Sequence, residues 1–241
     1  MNRAFTKGTV VLDFPPPAFG SPLGLLVRSI SLYLGNFFFI AWLTLLVFLP
    51  AKAALQAVCA VLDISTKGML MYVLLSASDL VLASLVTPAV VYALVGRMRG
   101  GKLPTVGEAL AWGRRQWGRT LWNRVKVEVT VSLSLLLLVI PGIVAAVRLA
   151  LVDTVVAIEA DLAPAPLARS RELASGAGWR IFFVMLPLTA VELVGSYFIL
   201  GAFTDPSYSR VAIAVVDSLL SVGGQLASAV ALLMYLGVRK K

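Results

Sequence analysis

The sequence predicts an all-α integral membrane protein with six transmembrane helices, arranged as three hairpins with amphipathic helices on the cytoplasmic surface. Three observations predict it. Of 241 residues, 59% are hydrophobic and 14% charged, with a mean hydropathy of +0.92. A soluble domain carries about 25% charged residues, so too few charges remain here to cover a water-facing surface. Apolar runs near the ~20 residues needed to cross a bilayer recur along the chain. Finally, Lys and Arg cluster between alternate runs, as they do in loops retained in the cytoplasm.

Residues 1–20 form a cytoplasmic N-terminal segment, and 21–241 a single six-span domain. The segment contains Asp13-Phe14-Pro15-Pro16-Pro17, which favours extended backbone because proline fixes φ and lacks a donor. No short apolar run with a small-residue cleavage site follows Met1, so no cleaved signal peptide is expected. The first span covers 30–50 and includes Phe37-Phe38-Phe39-Ile40; the second covers 69–95. The run from Val127 to Glu159 is interrupted by Pro141-Gly142. Both of its flanks are basic, so it is read as a hairpin that turns at Pro141-Gly142. Spans five and six cover 181–203 and 211–237.

The basic residues set the orientation. Arg3, Lys7 and Arg28 precede the first span. Arg97, Arg99, Lys102, Arg114, Arg115, Arg119, Arg124 and Lys126 separate spans two and three. Arg169, Arg171 and Arg180 separate spans four and five, and Arg239, Lys240 and Lys241 close the chain. Lys52, Lys67 and Arg210 fall in outer loops, and Arg148 within a span. Both termini are therefore placed in the cytoplasm. The net charge of +9 becomes an orientation signal that also favours anionic headgroups at the cytoplasmic face, rather than a nucleic-acid signal.

The connecting segments are amphipathic. Val106, Leu110, Gly113, Trp117 and Leu121 share one helical face, opposite Glu108, Arg115 and Arg119. Trp112, Trp117, Trp122 and Trp179 lie in these segments, where tryptophan anchors a helix at headgroup level. The interfacial set is Arg114, Arg115, Trp117, Arg119, Trp122, Arg169, Arg171, Trp179 and Arg180. A surface for a protein partner or a homo-oligomer is the alternative use of these helices. Residues 26–35 and 167–176 share Leu, Arg, Ser, Leu and Gly at equal offsets, with Leu110-Ala111-Trp112-Gly113 as a looser third copy. A threefold internal repeat is one reading, and chance in a biased composition the other; repeats are common in transporter folds.

One cysteine, Cys59, and no histidine exclude an intramolecular disulfide and nucleophile–histidine catalysis. They also leave little from which to build a zinc site. No metal motif or phosphate loop is present, so no metal and no cofactor are expected.

Ile140-Pro141-Gly142-Ile143, Arg148-Leu149-Ala150-Leu151-Val152-Asp153, Val155-Val156 and Glu159 are followed by Leu167-Ala168-Arg169-Ser170, Glu172-Leu173, Gly176 and Trp179-Arg180-Ile181-Phe182. This order of motifs, over about 45 residues, resembles the YciC-like uncharacterised membrane proteins of bacteria. It is also similar to the membrane domain fused to some glycerophosphodiester phosphodiesterases. The resemblance implies a bacterial cytoplasmic-membrane protein with interfacial helices between hairpins. It implies no activity, because the chemistry of the fused relatives belongs to a separate soluble domain.

Charged residues within spans carry the functional expectation, since each costs at least about 2.5–3.5 kcal/mol at a helix centre. They are Asp79, Arg148, Asp153, Glu192 and Asp217. Arg148 and Asp217 lie at matching depths and are expected to pair. Asp79, Asp153 and Glu192 are expected to converge on a polar core. The corresponding function is non-enzymatic: binding or moving a lipid, small amphiphile or ion. The alternative is an assembly protein, with individually satisfied acids and an exposed apolar stripe over 105–122.

Overall fold

The computed structural model describes residues 5–6, 9–10, 21–65, 69–100, 102–159, 165–202 and 210–239. The Pro15–Pro17 stretch, Lys67 and the two C-terminal lysines lie outside them. Apart from the paired two-residue strands β1 (Phe5–Thr6) and β2 (Thr9–Val10) and short connections, the described residues are helical. In order they form α1 (Pro22–Leu34), α2 (Phe37–Val61), α3 (Met69–Gly100), α4 (Val106–Leu137), α5 (Val139–Leu149), α6 (Val152–Ile158), α7 (Pro166–Ala174), α8 (Gly178–Ala202) and α9 (Arg210–Val238). Five segments are long and apolar enough to cross a membrane: α2, α3, residues 139–158 across α5 and α6, residues 178–195 of α8, and α9.

Side-chain exposure agrees with a lipid surround. Phe38 is 87% exposed, Leu136 82% and Leu137 80%. Water would not tolerate so much contiguous apolar surface on a monomer. The interior holds a large apolar cluster, to which Val86, Val90 and Leu94 of α3, Val155 and Ile158 of α6 and Leu232 and Tyr235 of α9 belong.

Local chemistry sets the helix ends. Ser21 caps α1 by accepting the Gly24 N–H at 3.1 Å, and Pro22 fills the first turn, where a missing N–H costs nothing. Thr105 and Glu108 form a reciprocal capping box on α4. The Thr105 backbone N–H, then the Thr105 hydroxyl, hold the Glu108 carboxyl below its ordinary range by favouring its charged form. Pro50, Pro88 and Pro187 lie inside α2, α3 and α8. Helix interiors within membranes tolerate proline because neighbours satisfy the freed groups.

Four expectations need correction. The first spanning helix runs from Phe37 to Val61 rather than 30–50, because the chain kinks at Gly35-Asn36 and does not stop at Pro50. Lys52 therefore lies inside α2, fully buried, and not in a loop. The break before α5 falls at Leu138, which is extended at φ −160° and ψ 142°, rather than at Pro141-Gly142. A proline ring clashes with the carbonyl four residues earlier, here that of Leu137, so the helix must yield upstream of Pro141. Gly142 serves packing instead. A Cβ there would lie 2.3 Å from Leu135 Cδ2, so glycine permits α5 to lie against α4. Finally, Trp112 is no interfacial anchor. It is buried and stacks on Tyr92 with ring centroids 5.5 Å apart.

The buried face of α4 is also turned from the one expected. It carries Ala109, Trp112, Gly113, Gln116, Thr120 and Asn123. Gly113 anchors it: a Cβ would sit 2.4 Å from the Leu85 carbonyl oxygen of α3. The 26–35 and 167–176 segments agree at one position and differ at another. Ser29 and Ser170 are both fully buried and both donate to backbone carbonyls. Gly35 is right-handed at φ −62°, whereas Gly176 is left-handed at φ +81°.

Candidate functional site: two ion pairs between helices

Lys52 is the centre of the first site. Its Nζ lies 2.6 Å from Asp79 Oδ1 of α3 and 2.6 Å from Asp217 Oδ2 of α9. These are close charge contacts whose angles differ from those of aligned hydrogen bonds; Nζ donates in addition to Ser221 Oγ at 3.2 Å. The Phe48 ring centroid is 5.3 Å away. An ammonium buried this fully persists only where it is paired. Here the pairing ties three helices together. Lys52 lies ten residues or fewer from the α2 terminus, as does Asp79 from that of α3 and Asp217 from that of α9. The site is thus about 10–15 Å below the end of the bundle that carries the α2–α3 connection. At that end Arg210 Nη2 donates to the Ile64 carbonyl at 3.0 Å.

Lys52 belongs to a polar stripe at a spacing of four residues. Thr44 and Gln56 are buried on the same face of α2. The Thr44 hydroxyl and both side-chain polar atoms of Gln56 have no hydrogen-bond partner among the described residues. Facing them, α9 buries Ser218, Gln225 and Ser228, and Ser228 Oγ donates to Gln225 Oε1 at 3.2 Å. The α2–α9 seam is therefore polar through much of its length.

Arg124 and Asp153 form the second site. Arg124 Nε donates to Asp153 Oδ2 at 2.7 Å, and Nη2 lies 2.6 Å from the same oxygen. Nη2 also donates to Thr87 Oγ1 of α3 at 3.1 Å. Both charged side chains remain 24% exposed. They border a cleft of about 250 Å³ whose other walls are Val127, Glu128, Leu149, Ala150 and Val152. The cleft abuts the interruption between α5 and α6 at Ala150-Leu151.

A third cluster closes the opposite end of the bundle. Tyr235 Oη donates to Glu159 Oε1 at 2.5 Å. Arg169 bridges Glu159 Oε2 at 3.3 Å and Glu172 Oε2 at 2.9 Å. The bond to Glu172, then the charges of both carboxylates, hold Arg169 more firmly protonated than usual, against some desolvation.

The expected residues divide among these clusters. Asp217 pairs with Lys52 and not with Arg148, which is exposed on α5 and whose carbonyl accepts from Ser170 Oγ at 2.8 Å. Asp79 and Asp153 do not converge: each has its own cation, on opposite stretches of the bundle. The side chain of Glu192 lies outside the described residues. Of the interfacial set, Arg114, Arg115 and Arg171 are exposed, and Arg119 and Arg180 partly so. Trp117 is 40% exposed and donates from Nε1 to the Val81 carbonyl at 3.1 Å. Trp122 is exposed with Lys126 Nζ 5.0 Å above its ring. Trp179 is exposed against Phe182 and Phe183. The outer face of α4 over 106–124 thus mixes arginines with Trp117 and Trp122, and carries no continuous apolar stripe.

Lys52 is the residue that sequence reasoning misplaces. The signal lies in Thr44, Phe48, Lys52 and Gln56, four residues apart on an otherwise apolar helix, and in two intramembrane aspartates that each require a cation. No protein-family model, curated protein or solved structure matches this chain.

Proposed function

We propose that this is a non-enzymatic multi-pass membrane protein that binds or moves a lipid, small amphiphile or ion by way of an intramembrane polar core. The observation that carries the reading is Lys52, fully buried in a membrane helix and held between carboxylates of two others. Charges are costly at such depth and are found along substrate and ion pathways. The unpartnered Gln56 and Thr44 extend the polar surface along the same seam.

The proposed topology is six crossings, the sixth supplied by the second half of α4, with both termini in the cytoplasm of a bacterial cell. Its support is the charge distribution: with Lys52 moved into the membrane, only Lys67 and Arg210 remain on the outer side. The short helices α1 and α7 and the first half of α4 would then rest on the inner surface, each ahead of one hairpin. The motif resemblance to YciC-like membrane proteins points the same way.

Two assays on the purified protein in liposomes test the reading. One follows proton flux with a trapped pH indicator under a valinomycin-imposed potential. The other follows bleaching of a fluorescent phospholipid by impermeant dithionite. Activity above protein-free vesicles in either is expected, lost on Asp79→Asn or Asp217→Asn. Silence in both, with helicity intact, contradicts the reading and favours an assembly role.

A further inference from the structure

The cleft beside Arg124 has a charge pattern and a surrounding surface that specify an occupant. Asp153 meets the guanidinium through Oδ2 alone, so Oδ1 is not used in that pair. Arg124 is engaged through Nε and Nη2, which leaves the Nη1 hydrogens outside these bonds. Glu128, one turn further along α4, lines the same cleft and is exposed. With all three groups ionised the cleft carries one positive and two negative charges. Arg148, one residue before Leu149, and Lys126, seated over Trp122, do not line it.

That pattern disfavours a purely anionic ligand. Asp153 already neutralises Arg124, and Glu128 would repel a second negative group. A zwitterion fits: a phosphate oxygen toward Arg124, which guanidinium geometry suits, and an N–H-bearing ammonium toward Glu128 and Asp153. A volume of about 250 Å³ is below the ~300–1,000 Å³ of pockets that enclose a drug-sized molecule. It accommodates a headgroup and leaves the remainder of the ligand outside.

The surface beyond the cleft is suited to that remainder. Toward Leu138 the α4–α5 hairpin exposes Val129, Leu133, Leu135, Leu136, Ile143 and Val144, and no charged residue intervenes between Glu128 and Arg148. Arg124 stands 14 residues before Leu138, and Asp153 15 after it, about 20 Å along a helix. One leaflet contributes about 15 Å of hydrocarbon. A headgroup seated in the cleft therefore lays its acyl chains along an apolar surface of matching length. Toward the start of α4 the surface becomes basic and polar, as the water side requires.

We infer that the cleft between α4 and the α5–α6 interruption binds the headgroup of an amine-bearing zwitterionic phospholipid of the phosphatidylethanolamine type, with its acyl chains on the α4–α5 hairpin. The inference rests on the membrane reading but not on the Lys52 core.

Native mass spectrometry of the full chain tests it, in detergent supplemented with equal amounts of diacyl phosphatidylethanolamine, phosphatidylcholine and phosphatidylglycerol. The expected result is about tenfold preferential retention of phosphatidylethanolamine, the effect of one charge-assisted hydrogen bond that the quaternary ammonium of phosphatidylcholine cannot make. Glu128→Gln, at an exposed position not needed for folding, should bring the ratio to phosphatidylcholine close to one. The retention ratio is read without any flux measurement, so a silent polar core with the ratio intact and an active core with the ratio lost are distinguishable. Equal retention of the two zwitterions by the native protein, preference for phosphatidylglycerol, or an undiminished ratio in Glu128→Gln would each overturn the inference.

Discussion

Lys52 and Arg124 perform the same elementary act in two different settings. Each cation reaches an aspartate on another helix at 2.6 Å. Lys52 has no exposed surface and binds two carboxylates, whereas Arg124 keeps 24% of its side chain open and binds one. The first site encloses its cation completely, while its Asp79 carboxylate stays 43% exposed. The second leaves donors and acceptors facing a cleft. Burial of the cation, and not contact distance, separates a charge that organises the bundle from one available to a ligand.

Removing the cation should therefore have unequal effects. Lys52→Met takes the buried cation from Asp217, whose side chain is 16% exposed, and losing one partner of a buried pair costs about 3–5 kcal/mol. A marked fall in melting temperature in detergent is expected, and an unchanged value would break the comparison. Gly113→Ala comes next. Its methyl group would meet the Leu85 carbonyl at 2.4 Å and push α4 from α3, at the ~1–3 kcal/mol typical of overpacking. Because Thr87 of α3 holds Arg124, the same variant should weaken phospholipid retention in the cleft. Arg124→Ala should cost about 1 kcal/mol or less, since a partly exposed pair is screened. Its main effect should be on lipid binding.

The smallest effect belongs to the cap of α4, remote from both cations. The Glu108 carboxyl is held below its ordinary range. Its contribution is thus complete above the unfolded carboxyl value of about 4.3 and is lost as the pH falls through the lower folded value. Glu108→Gln should flatten this slight acid dependence in a melting series, and a slope identical to that of the native protein would exclude the cap as its source.

Hydropathy makes the membrane class and most helices legible, because a spanning helix must be apolar over a fixed length. It misleads wherever partners decide. A lone lysine stops an apolar run, so hydropathy places Lys52 in a loop; the chain carries it inside α2 because Asp79 and Asp217 receive it. The buried face of α4 escapes for a related reason. Close approach to α3 at Gly113 selects the face, so α4 buries Gln116, Thr120 and Asn123 along with Ala109 and Trp112. Pro141 announces a break, but the clash it causes acts four residues upstream, so the turn comes at Leu138. The five charged residues stand out in the sequence as costly. Their pairing is not legible there, since helix depth gives height along the membrane normal and not which helices are neighbours.

The most direct test of the central claim is to remove the charges of the Lys52 core without leaving any of them unpaired. The triple variant Lys52→Met, Asp79→Asn, Asp217→Asn retains side-chain volume and avoids the uncompensated buried charge that makes a single change costly. Measured in the same liposomes as the native protein, it should melt above the Lys52→Met single variant yet show neither proton flux nor phospholipid movement above empty vesicles. A stable triple variant that matches native activity would contradict the account, because the charges at Lys52, Asp79 and Asp217 would then serve the fold alone.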